Sequence, residues 1–217
     1  MLKLMMALGL GFLTPVALTK LTAPHPVALA ETVDPQVTED VTETLEVVVL
    51  KDPTPEEAHV LEVLQARGIT HPNALATILG NIKQESRFIS NICEGGAIVP
   101  YEGCHRGGYG LIQWTTKSRY DGLGRHARSL GLSPSSLEAQ LSWMFQEKRW
   151  LDVEHKFKVP GKNVDTYMRY AYHWLGWGVH GARSHYSFDY LKRMEVVEVP
   201  AAEHPTSKFT ANHHYLK

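Results

Sequence analysis

The sequence is poor in the residue patterns that mark metal and nucleotide sites. Its 217 residues include only 2 cysteines, and its 12 histidines are scattered, with no His-Glu-x-x-His pattern for zinc. It also has no glycine-rich loop ending in Lys-Ser or Lys-Thr, which a Walker-type phosphate site requires. No internal repeat is apparent. We therefore expect neither a metal ion nor a cofactor, and look for function in the side chains of the protein itself.

The N-terminus has the order of a secretory signal peptide. A basic start at Met1–Lys3 precedes the apolar run LMMALGLGFLTPVAL, and Ala28–Ala30 forms a small-x-small motif before Glu31. An uncleaved anchor is the alternative, but Pro15 interrupts the run, which is also short for a membrane span. We predict a signal peptide at residues 1–30 and a secreted, periplasmic or virion-associated protein that meets the membrane only transiently through this segment.

The two cysteines, Cys93 and Cys104, flank a glycine-rich segment. A single pair in an exported protein is most simply interpreted as a disulfide, whose main role here would be to hold the shape of the loop. Zinc binding with His105 as a third ligand is the alternative, although no second ligand pair follows at metal spacing.

Charge and composition divide the rest of the chain into three regions. Residues 31–53 are acidic and lack a helical period, so we predict a disordered linker, although LEVVVL within it could form a strand. Residues 54–195 form the predicted compact domain, and residues 196–217 a polar tail broken by prolines. Residues 58–195 hold 17 Lys and Arg against 12 Asp and Glu, and this basic surplus suits an anionic partner such as a cell wall, a lipid surface or nucleic acid.

Hydrophobic periodicity predicts a mainly α-helical domain. Residues 54–57 carry an N-cap, a first-position proline and a capping-box glutamate, Gly68 ends this first helix, and Pro72 begins a second. Strand signals are scarce and confined to a long loop at residues 88–112. We expect a compact bundle of about six helices with a cleft or loop region after the second. Four further segments fit amphipathic helices: residues 115–131, 133–150, 163–177 and 182–194.

The stretch NIKQESRF places a charge beside an apolar helical stripe. Leu75, Ile78, Leu79 and Ile82 recur at helical spacing, and Glu85 falls at the margin of this stripe. A carboxylate beside an apolar face is costly unless it is paired or protonated. A helix-end glutamate that reaches solvent is the ordinary explanation, and a functional acid is the other.

The long loop that follows this helix supports the functional explanation. It is glycine-rich and ends in GGYGLIQW, and loops of such length inside compact domains are usually functional. GNIKQESRF followed by GGYGLIQW resembles the phage tail lysozyme group of the lysozyme-like superfamily, which includes goose-type lysozymes and lytic transglycosylases. The resemblance covers roughly residues 70–195, and it implies a lysozyme-like helical fold and cleavage of peptidoglycan glycan strands.

The resemblance implies a role for each matching residue. Glu85 would be the general acid, because a glycosidic oxygen leaves only when it gains a proton, and a glutamate must be desolvated to keep one near neutral pH. Tyr109, Gln113 and Trp114 would bind the sugars. Ser86 would join them, or else support the helix end and orient Glu85. The other tryptophans are expected to be mostly core residues.

A second carboxylate is the least determined part of the expected site. A two-carboxylate mechanism needs an Asp or Glu across the cleft, and Glu94, Glu102 and Asp121 are the candidates by position. We place Glu102 first because it lies inside the presumed disulfide loop. Lytic transglycosylases use a single glutamate with the N-acetyl group of the substrate, so hydrolysis and transglycosylation both remain open.

The predicted function is cleavage of the β-1,4 bond between N-acetylmuramic acid and N-acetylglucosamine. The expected partners are peptidoglycan strands and phage tail or virion components, without nucleic acid. One alternative is a virion or envelope structural protein that binds glycan without cutting it. Another is a cysteine peptidase acting on wall peptides, which would need a free cysteine.

Overall fold

The computed structural model describes residues 43–209, in which helices account for most of the ordered chain. The helices are α1 (Pro55–Ala66), α2 (Pro72–Ser86), α3 (Lys117–Ser129), α4 (Leu137–Gln146), α5 (Lys148–Phe157), α6 (Val164–Leu175), α7 (Arg183–Arg193) and the short α8 (Pro205–Phe209). Of the two strands, β1 (Thr44–Leu50) precedes α1, and β2 (Met194–Pro200) lies between α7 and α8. The prediction of a mainly α-helical, lysozyme-like fold is confirmed.

The N-terminal signals of the first two helices act as predicted. Thr54 Oγ1 accepts from the backbone N–H of Glu57, whose carboxylate accepts in return from the backbone N–H of Thr54, both at 3.2 Å. Gly68 follows with a φ of 85°, which favours glycine and ends the first helix. Pro72 begins α2. The predicted stripe of α2 is fully buried and lies in the main hydrophobic core.

Helices α2 and α7 run antiparallel in close contact. A Cβ at Gly80 would lie only 2.5 Å from the backbone nitrogen of Ser187, so glycine permits this approach. One consequence is that the C-terminal end of α2 meets the N-terminal end of α7, where Glu85 lies beside Arg183. The packing of these two helices therefore positions the first candidate catalytic residue.

Strands β1 and β2 form an antiparallel pair with Val47 opposite Val197. The side chain of Gln65 in α1 donates to the backbone oxygen of Val48 at 2.9 Å and accepts from its N–H at 2.7 Å, which ties the sheet to the helices. LEVVVL, the part of the predicted linker that could form a strand, lies in β1, and residues 196–200 of the predicted tail lie in β2, where each strand satisfies its backbone on the other. The strands also lie outside the loop to which strand signals were assigned.

Two further predictions concern the helix at residues 133–150 and the two ends of the chain. Residues 133–150 were expected to form one helix, but Glu147 has an extended ψ of 134° and separates α4 from α5. The predicted signal peptide, the first part of the linker and the end of the tail lie outside residues 43–209. Within those residues, no helix is long and apolar enough to cross a membrane.

Candidate active site

A cavity of about 620 Å³ opens where the end of α2, the long loop and the segment between α6 and α7 meet. Its wall combines charged and apolar side chains with glycine backbone. Its polar and aromatic lining includes Glu85, Glu94, Gln113, Arg119, Arg149, Trp177 and Arg183.

Glu85 lies at the last turn of α2 and faces this cavity. Its side chain is only 14% exposed, and its Oε1 accepts from Nη2 of Arg183 at 2.7 Å. Burial raises the pKa of Glu85, and the charges of Arg183 and Arg119 offset part of that rise. Glu85 is therefore a partly desolvated acid with access to a large cavity.

Arg183 is almost fully buried between Glu85 and an aromatic ring. Its guanidinium carbon lies 4.4 Å from the ring centroid of Trp177, within cation–π distance. Burial lowers the pKa of Arg183 from its usual range, but an arginine stays protonated at any ordinary pH. The cavity wall thus holds a fixed positive charge against Glu85.

The long loop forms another part of the cavity wall and is cross-linked by the Cys93–Cys104 disulfide, as predicted. Glu94 follows Cys93, and its Oε2 accepts from the backbone N–H of Gly108 at 2.8 Å. Gly107 has a φ of 79°, and a Cβ there would collide with the Glu94 side chain, so glycine is needed on both counts. This packing fixes Glu94 at the cavity.

Gln113 lines the cavity in a left-handed backbone conformation with a φ of 52°. Its Nε2 donates to the backbone oxygen of Gly110 at 3.0 Å. Left-handed backbone is uncommon for residues other than glycine and concentrates at functional sites. The GGYGLIQW motif thus contributes Gln113 to the same cavity that Glu85 lines.

The comparison with protein families agrees with this geometry. The phage tail lysozyme model matches residues 56–180, which is more than half of the chain and includes α2 and the long loop. This chain belongs to the phage tail lysozyme family. Membership points to a lysozyme-type enzyme, to peptidoglycan as its substrate and to a phage association. No curated protein and no solved structure matches the chain significantly.

Three residues that the resemblance assigned to sugar binding lie in the core of this phage tail lysozyme domain. Ser86 Oγ donates to the backbone oxygen of Leu111 at 2.8 Å and joins the helix end to the loop. The Tyr109 hydroxyl contacts Ser135 Oγ at 2.7 Å, and Trp114 Nε1 donates to Glu147 at 2.9 Å. None of the three lines the cavity, so their positions suit support of the site.

The preferred second carboxylate, Glu102, also lies away from the cavity. It occupies an exposed single turn at Tyr101–Gly103 on the far part of the loop. Asp121 pairs instead with Lys117 at 2.7 Å. Glu94 is the only one of the three candidates that lines the cavity with Glu85. The order of candidates is therefore corrected, with Glu94 first.

Four cavity residues were not identified from the sequence: Arg119, Arg149, Trp177 and Arg183. Arg119 is held bidentately by Glu147, with both N–O distances at 2.8 Å. Arg183 lies three residues beyond the matched family region. The available signal was GARSHYSFDYL, in which an arginine opens a helix whose apolar side must pack on the core.

Metal binding has no evident place in the described part of the chain. Among residues 43–209, no group of three or more His, Cys, Asp or Glu side chains is placed to hold an ion.

Proposed function

We propose that the protein cleaves the β-1,4 bond between N-acetylmuramic acid and N-acetylglucosamine in peptidoglycan, with Glu85 as general acid. The observation that carries this proposal is the burial of Glu85 against a large cavity in a domain of the phage tail lysozyme family. A general acid must keep its proton near neutral pH, and burial raises the pKa of Glu85 in that direction.

The proposed step moves one proton and breaks one bond. Glu85 donates its carboxyl proton to the glycosidic oxygen as the bond from that oxygen to the anomeric carbon breaks. Water then adds to the anomeric carbon and releases a proton to a base. Entry of a glycan strand displaces water from the cavity, and this desolvation further favours the neutral form of Glu85.

Glu94 is proposed as the second carboxylate. One of its oxygens is fixed by the N–H of Gly108, and Glu94 lines the same cavity as Glu85. A fixed, exposed carboxylate suits activation of the attacking water. This arrangement favours hydrolysis, whereas a site with Glu85 alone would favour transglycosylation.

A second candidate function is glycan binding without cleavage, in a structural part of a virion or envelope. The observation that favours it is the ion pair between Glu85 and Arg183, since an ionised glutamate paired with arginine has a structural role of its own. The cysteine peptidase alternative lacks its nucleophile, because both cysteines of the chain form the disulfide.

The test is release of soluble muropeptides from purified peptidoglycan by Glu85→Gln. Gln has the same size and polarity but no proton to donate, so release should stop while binding to the wall persists. Glu102→Gln is the matched control, because it removes an exposed carboxylate outside the cavity. Mass spectrometry of the wild-type products separates hydrolysis, which adds water, from transglycosylation, which leaves 1,6-anhydro ends. Wild-type release by Glu85→Gln would refute the assignment.

A further inference from the structure

The cavity contains three arginines, and two of them are already neutralised. Arg183 pairs with Glu85 at 2.7 Å, and Arg119 pairs with Glu147 at 2.8 Å. No carboxylate among residues 43–209 pairs with the third, Arg149, whose exposed side chain lines the same cavity. The cavity therefore offers one guanidinium to an anion from outside.

One backbone carbonyl accepts a hydrogen bond from this guanidinium. Nη1 of Arg149 donates to the backbone oxygen of Leu175 at 3.3 Å, at the C-terminal end of α6, where the helix dipole favours a positive charge. Gly176 follows with a φ of 71°, and a Cβ there would lie only 2.6 Å from Nη1. Glycine at this position thus leaves room for the arginine. A guanidinium has five N–H donors, and this contact uses one of them.

We propose that Arg149 binds a carboxylate of the muramyl part of the substrate and thereby selects muramic-acid glycans over neutral ones. The inference rests on the proposed substrate class, but it does not depend on cleavage. N-acetylmuramic acid differs from N-acetylglucosamine by a lactyl group that ends in a carboxyl. That carboxyl is free where the stem peptide is absent, and where the peptide is attached the peptide supplies carboxylates of its own. Arginine can bind the lactyl carboxylate or a peptide carboxylate, because its planar guanidinium can donate two hydrogen bonds to one carboxylate.

The experiment measures binding by calorimetry in the Glu85→Gln background, so that substrate is not consumed. Because Arg183 then lacks its partner in every variant alike, each affinity is compared only with that of the Glu85→Gln parent. Three ligands are compared: muramyl glycan with stem peptides, the same glycan after the peptides are removed, and an N-acetylglucosamine oligomer of equal length. Arg149→Gln is compared with Lys148→Gln, which removes the same charge one residue earlier from a lysine that already pairs with Asp152 at 2.7 Å. Arg149→Lys keeps the positive charge but loses the planar guanidinium that can donate two parallel hydrogen bonds to a carboxylate.

Arg149→Gln should lower the affinity for a carboxylate-bearing glycan about tenfold, as expected for loss of a charged hydrogen bond. Lys148→Gln should stay within about twofold of the parent, since exposed ion pairs contribute little. Arg149→Lys should retain part of the affinity, with a steeper dependence on salt. A loss confined to the peptide-free glycan identifies the lactyl carboxylate, and a loss confined to the other glycan identifies the peptide.

Two results would overturn the inference. One is an Arg149→Gln protein that binds both muramyl glycans as tightly as its parent. The other is a parent that binds the neutral oligomer as tightly as the muramyl glycans. Failure of the proposed catalysis would look different, because Glu85→Gln would then release muropeptides at the wild-type rate while these affinities were unaffected.

Discussion

Nη2 of Arg183 lies 2.7 Å from Oε1 of Glu85, so the first residue of α7 donates to the last turn of α2 across the contact of two antiparallel helices. Burial and this ion pair act in opposite directions on Glu85. Burial raises its pKa and has the larger effect, and the positive charge of Arg183 lowers it. Burial thus sets the direction of the pKa shift of the proposed acid, and a neighbour outside both sequence motifs limits its size.

Replacing Arg183 by methionine should shift the pH dependence of cleavage. Without the arginine charge the pKa of Glu85 rises further, so the acid keeps its proton to higher pH. The alkaline limb of the kcat/KM profile should therefore move to higher pH. The variant should also lose stability progressively as pH rises above the unfolded-state pKa of glutamate, because the folded protein then holds a proton that the unfolded chain releases.

Arg193→Met is the matched control for this shift. Arg193 lies at the other end of α7 and pairs with Glu57 at 3.0 Å, away from the cavity. Its loss should leave the alkaline limb unchanged even if stability falls. An alkaline limb that stays in place in Arg183→Met, or that moves to lower pH, would contradict the assignment of Glu85 as the titrating acid.

Glu94→Gln should reduce kcat by about 100-fold if Glu94 activates the attacking water, which is within the usual contribution of a general base. The amide still accepts from the N–H of Gly108, so the fold of the loop should be kept. The measurement is the steady-state rate on soluble muramyl glycan, together with the thermal midpoint. Unchanged kcat with 1,6-anhydro products would mean that Glu85 works with the substrate alone.

Glu147→Gln should destabilise the protein, because this buried carboxylate holds both Arg119 and Trp114. Removing the charge leaves Arg119 without its partner, and we expect a loss of about 3 kcal/mol of unfolding free energy, at the low end for a broken buried pair. Asp152→Asn removes the exposed partner of Lys148 and should cost less than about 1 kcal/mol. Urea unfolding measures both, and equal losses would contradict the structural role of Glu147.

The disulfide should matter for both stability and activity. Replacing Cys93 and Cys104 by serine opens a short loop and should lower the unfolding free energy by about 3 kcal/mol on the chain-entropy account. Cys93 and Glu94 both line the cavity, so activity should fall at temperatures where the variant is still folded. Circular dichroism identifies those temperatures. Wild-type activity of the double variant there would show that the loop keeps its shape unaided.

The sequence predicted features that depend on local pattern. The apolar stripe of α2, the capping box before α1 and the loop between the motifs are all encoded within a few residues, and each is present. The strand at Thr44–Leu50 was expected only as an alternative within a disordered linker, and its partner was not predicted, because that partner lies 144 or more residues away. Pairing of this kind depends on the tertiary fold.

The residues of the candidate site also differ in whether a local sequence pattern could identify them. Glu85 and Gln113 belong to contiguous motifs, whereas Arg183 reaches the cavity through the packing of α7 on α2, and Trp177 lies in the segment between α6 and α7. Trp114 was favoured over Trp177 for sugar contact because it belongs to a motif, yet Trp114 is fully buried and Trp177 lines the cavity. Membership in a motif identified residues near the site, but it did not show which of them line the cavity and which are buried behind it.

The most direct measurement is the initial rate of Glu85→Gln on purified peptidoglycan beside Glu102→Gln, with both proteins shown to be folded. We predict a fall of at least about 100-fold for Glu85→Gln, as expected for loss of a general acid, and no more than a small change for Glu102→Gln. A Glu85→Gln protein that cleaves the glycan at the wild-type rate would contradict the central claim.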